Sequence, residues 1–242
     1  MPLAISPVTL AIQAQKSPSS KLRNPPPWLH PRQIERSYAV MLQRLTKEFT
    51  RQVRDIVIPA LASISEQADT ELGLAESARL DAWSDRVEEL MSILRIGATK
   101  REKSVDALAV DIGQRTSNWN NKEWQKILRR TVGVSLLQSE PGLRERLRLF
   151  VETNTKLIGN MQTQGIEKIN GIIERGFSTG ARHTTVAADI ETALGVEENK
   201  ARLTARDQVS KLNGRLTQMR QVEAGIPHYI WQTAEDIRVR TS

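Results

Sequence analysis

There is no cysteine anywhere in the 242 residues, so disulfides and thiolate metal sites are excluded. Aromatics are scarce at 4%, and apolar residues of every kind reach only 39%. That is lean for a compact enzyme core but ordinary for long amphipathic helices, each buried along one stripe. No run approaches the roughly 18 apolar residues that a membrane span requires. The mildly apolar start, Leu3 to Ile12, lacks a basic leader and is broken by Pro7, which makes it a poor signal peptide. These absences predict a soluble protein of a reducing cytoplasm with no membrane partner.

Catalytic patterns are missing as well. His30, His183 and His228 stand far apart, and none has a second His or a carboxylate at metal-ligand spacing. There is no phosphate-cradling GxxxxGK[ST], no strand-associated GxGxxG and no GxSxG elbow. Gly171, Gly176 and Gly180 follow a helical pattern, so they read as a helix-ending turn rather than a phosphate loop. Neither an enzymatic activity nor a cofactor or metal is expected.

What the chain does have is charge in blocks. Residues 1–54 hold 9 Lys and Arg against 2 Asp and Glu, and residues 55–94 reverse this with 2 against 9. Residues 95–199 hold 16 against 13, and residues 200–242 hold 8 against 4, for a net charge of +7. A protein that merely coats nucleic acid has no need of the acidic block. Alternating blocks suit docking against charged proteins, with nucleic-acid contact confined to basic segments; solvated helix faces are the plainer reading.

Seven of the ten prolines fall in residues 1–31, including Pro25-Pro26-Pro27. Proline lacks an amide donor and disfavours helix in the residue before it. Residues 1–31 therefore read as an extended arm, either a disordered tail or a segment that orders on a neighbouring subunit. Trp28 and Leu29 are its expected anchor.

Helical stripes follow. Ile34, Tyr38, Leu42, Leu45, Phe49, Val53 and Ile56 repeat at steps of three and four, with Pro31 starting the helix and Pro59 ending or kinking it. A second stripe runs through Leu80, Trp83, Val87, Leu90, Leu94, Ala98, Val105, Leu108 and Ile112. Gly113 and Ser117 to Asn121 punctuate it, and Asn120 or Asn121 should cap another helix through Trp124, Ile127 and Leu128. The longest pattern opens at Ser139 to Gly142, passes Leu143, Phe150, Asn154, Ile166 and Ile173, and closes at Gly176 in the left-handed position after a helix. Asn154 either fixes helix register from a buried position or faces water at the stripe's edge. A short helix is expected through Val186, Ile190 and Leu194, ended by Gly195. A basic helix comes next, from about Glu197 to Glu223, and Gly225 stops it. Pro227 precedes the one convincing strand, residues 228–233.

Three rows of cations stand on these helices. Lys200, Arg202, Arg206, Lys211, Arg215 and Arg220 lie on the basic helix, Arg144, Arg146 and Arg148 form a second group, and Lys122, Lys126, Arg129 and Arg130 a third. Such rows can contact phosphates without reading sequence, or they can be solvated faces.

One pattern is more specific. Arg202, Ala205-Arg206-Asp207-Gln208 and Lys211-Leu212-Asn213 lead to a Gly225-Ile226 turn. An aromatic strand with Tyr229, Trp231 and Thr233 follows, then Asp236, Arg238, Val239 and Arg240. Upstream stand Pro141, the helix to Phe150 and Glu152 to Ile158. In order and spacing, roughly residues 140–242 resemble the C-terminal module of the phage head-morphogenesis family, the Mu F-like minor head proteins. The family pattern continues with a His and a further small domain where this chain has Thr241-Ser242, so something else is expected to complete the module. A physical reading makes the motif a packing corner, with Tyr229 and Trp231 on the helix and Arg206 paired with Asp236 across the junction.

The fold expected is mainly α, an elongated long-helix bundle with an extended proline-rich N-terminal arm (1–31), a long-helix domain (32–178) and an incomplete C-terminal α/β module (179–242). The resemblance implies a structural minor head protein of a tailed phage or phage-like particle, assembled in the host cytoplasm and residing in the virion at the head interior or portal vertex. Its implied partners are the portal protein, the major capsid protein, further copies of itself and packaged DNA. The alternative is a cytoplasmic helical protein that binds DNA or RNA through sequence-independent phosphate contacts.

Overall fold

The computed structural model describes residue 26 and residues 28–70, 76–131 and 142–226. Among them every regular element is helical: α1 (Arg32–Gln52), a π-helical turn (Val53–Val57), α2 (Ile58–Thr70), α3 (Glu76–Thr131), α4 (Leu143–Ser178) and α5 (His183–Glu223). The mainly α, long-helix bundle expected from the stripes is what forms. At 1.5 Å per residue, the 56 residues of α3 make a rod of roughly 84 Å, hence the elongation. The strand at 228–233 and most of the arm lie outside the described residues.

Cross-helix contacts set the directions. Tyr38 meets Asn154, and Phe49 lies against Gly165 farther along both helices, so α1 and α4 run parallel. Arg101 bonds Gln162 while Gly113 faces Phe150, so α3 runs against α4. The tight turn at residues 179–182 returns α5 antiparallel to α4. The result is an up-down-up-down bundle with α1 and α2 forming one continuous arm of it.

Pro59 does not end its helix. It has no amide hydrogen, and its ring crowds the carbonyl four residues earlier. The chain absorbs this by widening one turn, in which the amide of Ile58 donates to the carbonyl of Val53.

Other expected breaks are also bridged. Helix α3 continues through Gly113 and Asn120, and α5 continues through Gly195. At Gly113 an added Cβ would lie 3.3 Å from Phe150, so the missing side chain serves packing between α3 and α4. Gly176 is likewise internal to α4, where a Cβ would fall 2.3 Å from Val186 Cγ2. The left-handed residue is Gly180 instead, at φ 69°. Its amide donates to Phe177 O at 3.1 Å and that of Ala181 to Gly176 O at 2.8 Å, a Schellman turn. Gly225, at φ 78°, closes α5 in the same way, as expected.

Two core clusters lie end to end. The first joins Phe49, Val53, Val57 and Leu61 to Met91 and Leu94, Ile169 and Ile173, and Val186, Ile190 and Leu194. The second joins Ile34, Tyr38 and Leu42 to Val105 and Ile112, Phe150 and Ile158, and Ala205, Val209, Leu212 and Leu216. Helix α5 contributes to both clusters, so residues on either side of the turn at 179–182 pack against one another.

Candidate interaction surface

The basic helix divides into three kinds of position. Ala201, Ala205, Val209, Leu212, Leu216 and Met219 face the core. At about 100° per residue, Lys200, Lys211 and Arg215 cluster on one flank of that stripe, and Arg202 and Arg206 lie on the other. All five are exposed. The cations therefore do not form a single rail. Lys211 Nζ also sits 2.7 Å from Asp207 Oδ2, one helical turn away.

Arg220 corrects the sequence reading. Expected as a phosphate or partner contact, it is fully buried. Its Nη1 donates to Asn120 Oδ1, and its Nη2 reaches Ser117 O and Oγ at 3.5 Å. The Asn120 amide in turn donates to Asn213 Oδ1 and Thr217 Oγ1, both at 2.8 Å. Thr217 Oγ1 donates to Asn213 O at 2.8 Å. Asn120 is thus not a helix cap but the hub of a buried network joining α3 to α5. Asn213, one of the residues on which the resemblance was read, is locked into that network. Such groups are retained in a core because each finds a partner; an orphaned one would carry its full desolvation cost.

A second buried polar pair settles Asn154, which is fully buried. Its Nδ2 donates to Phe150 O and its Oδ1 accepts from Tyr38 Oη, each at 2.8 Å. Burial raises the Tyr38 phenol above its ordinary range, so it remains a neutral donor.

The α4 arginines are surface groups. Arg144 and Arg146 are exposed. Arg148 is held between carboxylates, bonding Glu145 Oε1 at 2.5 Å and also Glu152. The hydrogen bond from Arg148 lowers the Glu145 pKa, as its charge does to a lesser degree. Much of the Arg148 charge is therefore satisfied within its own helix. Lys122, Lys126, Arg129 and Arg130 line a shallow cleft near the end of α3.

The arm anchor splits. Trp28 stacks at a tilt on Trp124 of α3, with ring centroids 6.2 Å apart, whereas Leu29 stays 49% exposed. Trp231, Asp236, Arg238 and Arg240 lie outside the described residues, and with them the Arg206–Asp236 pairing.

One grouping was not read from sequence. Arg32 and Arg36, one turn apart on α1, share an open cleft with Arg206 and Ser210 of α5 and with His30 and Glu35. The i, i+4 spacing of Arg32 and Arg36 was visible in the sequence, but only the antiparallel packing of α1 on α5 brings Arg206 to them. Glu35 is engaged locally, 2.6 Å from His30 Nε2.

No family model matches the chain. It is similar to a protein of Haemophilus influenzae strain Rd described only as uncharacterized, with 30% identity over 157 residues. That match takes in 63% of this chain and 35% of the relative, so the chain spans about a third of that protein's length. No solved structure matches.

Proposed function

We propose that the chain is a structural minor head protein of a tailed phage or phage-like particle, acting at the portal or inner capsid in head assembly and DNA packaging or delivery. The order and spacing of residues from Pro141 to Arg240 carries this reading. Two of the motif's residues have packing roles that agree with it: Asn213 ties α5 to α3, and Gly225 terminates α5. A motif spent on holding a helix in register suits an assembly module. The long exposed helices supply docking area, and the Trp28–Trp124 contact gives an N-terminal arm a fixed point of departure.

The test is made on particles purified from an induced culture of the source phage. Low copies of the chain should be detected by mass spectrometry, and deletion of its gene should yield heads that lack DNA. Absence of the chain from particles, together with normal yields of filled heads without it, overturns the proposal.

The exposed Arg202, Arg206, Lys211 and Arg215 favour a second reading, sequence-independent binding of DNA or RNA. It predicts that the purified chain alone binds duplex DNA with an affinity falling steeply as salt rises. Salt-independent or absent binding removes it.

A further inference from the structure

We propose that the cleft bounded by Arg32, Arg36 and Arg206 is a docking site for an acidic, partly apolar segment of a protein partner. This goes beyond the assembly reading and does not depend on it.

The cleft is open, about 440 Å³, and built from two helices. Among the described residues none of its three arginines makes an ion pair, unlike Arg54 with Glu191 or Arg148 with Glu145 and Glu152. Glu35 is the one carboxylate in the cleft, and His30 occupies it. Three unpaired guanidiniums therefore face solvent from adjoining helices, with Ser210 beside them. A guanidinium recognises a planar carboxylate through paired N–H donors, and three held together offer more than one such contact.

Apolar neighbours distinguish a protein segment from a nucleic acid. Val40 follows Arg36 by one turn on α1 and is 64% exposed, and Leu203 precedes Arg206 by three residues on α5 and is 63% exposed. The antiparallel register that sets Arg36 near Arg206 and bonds Arg54 to Glu191 brings Val40 level with Leu203. Both lie outside the cleft's lining, about one helical turn beyond it, so exposed aliphatics stand near its cationic rim. A phosphate backbone gains nothing from exposed aliphatics, whereas an amphipathic acidic helix or strand buries both features.

The experiment uses the full chain and two fluorescent probes, an 18-residue amphipathic peptide of alternating Leu and Glu turns and a 20-base-pair duplex. Peptide binding by anisotropy should weaken at least roughly tenfold in Arg32→Glu/Arg36→Glu/Arg206→Glu, and about threefold in Val40→Ser/Leu203→Ser. Lys122→Glu/Lys126→Glu changes exposed cations elsewhere and should leave peptide binding unaltered. Circular dichroism checks the fold, and Arg36→Gln/Arg206→Gln, expected to lose about half of the effect, replaces the triple variant if that one unfolds. The proposal is overturned if the arginine variants bind the peptide no worse than the lysine control. It is also overturned if the arginines serve the duplex in preference to the peptide and Val40→Ser/Leu203→Ser changes neither. Because purified protein suffices, failure here is separate from absence of the chain in particles.

Discussion

The two ends of the bundle are built differently. Around the π turn, Val53, Val57, Leu61, Met91, Leu94, Ile173, Ile190 and Leu194 form a core of aliphatic groups. At the other end, the apolar cluster of Tyr38, Val105, Ile112, Val209 and Leu216 is flanked by buried Asn154, Asn120, Asn213 and Arg220. Aliphatic contacts stabilise in proportion to area and are not directional. Hydrogen bonds between buried side chains are, and a shift of one turn strands each donor and acceptor. The dry end therefore contributes adhesion, and the polar end selects a single alignment of α3 with α5 and of α1 with α4.

The largest effect that would break this contrast is expected from Asn120→Ala. It removes the hub between Arg220, Asn213 and Thr217, taking an acceptor from the buried guanidinium and a donor from Asn213 Oδ1, for a loss of about 4 kcal/mol. Urea unfolding measures it, and a cost below about 1 kcal/mol would show that water replaces the network without penalty. Next is Ile190→Ala at the dry end, with an expected loss of about 3 kcal/mol from transfer and cavity terms. In that variant amide exchange should rise near the mutation while α3–α5 register is kept. Tyr38→Phe deletes only the donor to Asn154 Oδ1, and about 1.5 kcal/mol should follow. Replacing both partners, Tyr38→Phe with Asn154→Leu, should recover part of it, and no recovery would argue against the pair as a unit.

The smallest effect belongs to the surface. The hydrogen bond from Arg54, and less strongly its charge, lower the Glu191 pKa. A depressed carboxylate pKa contributes stability above its unfolded value of about 4.3, lost as pH falls through the folded value. The pair is well exposed, so the difference between wild type and Glu191→Gln should be under about 1 kcal/mol at pH 7 and vanish in acid. Paired thermal melts across pH 2 to 7, roughly the window in which carboxylates titrate, would show a constant offset if the pair carries no such linkage.

Local pattern carried much of this architecture, and distance in sequence hid the rest. The stripe Ile34, Tyr38, Leu42, Phe49, Val53 is buried as its spacing implies. Several glycines that look like helix stops lie inside helices. A glycine inside a helical pattern costs about 1 kcal/mol relative to alanine, so it reads as a stop. At Gly113 and Gly176 close approach by Phe150 and Val186 outweighs that, and at Gly195 the burial of Ala193 and Leu194 carries the helix across. Asn120 read as a cap because Asn favours caps. Its partners lie 93 to 100 residues away, beyond any local signal. The same distance concealed that Arg220 points inward and that Arg206 joins Arg32 and Arg36.

The hairpin turn at Gly180 also bears on how the chain reaches its final form. Only four residues separate α4 from α5, so closing that loop costs little entropy and these helices can zip together early. The N-terminal helix must instead find Asn154 across 116 residues. Its docking should come late in refolding, so substitutions at Tyr38 should quicken unfolding while those beside Gly176 slow the forward reaction.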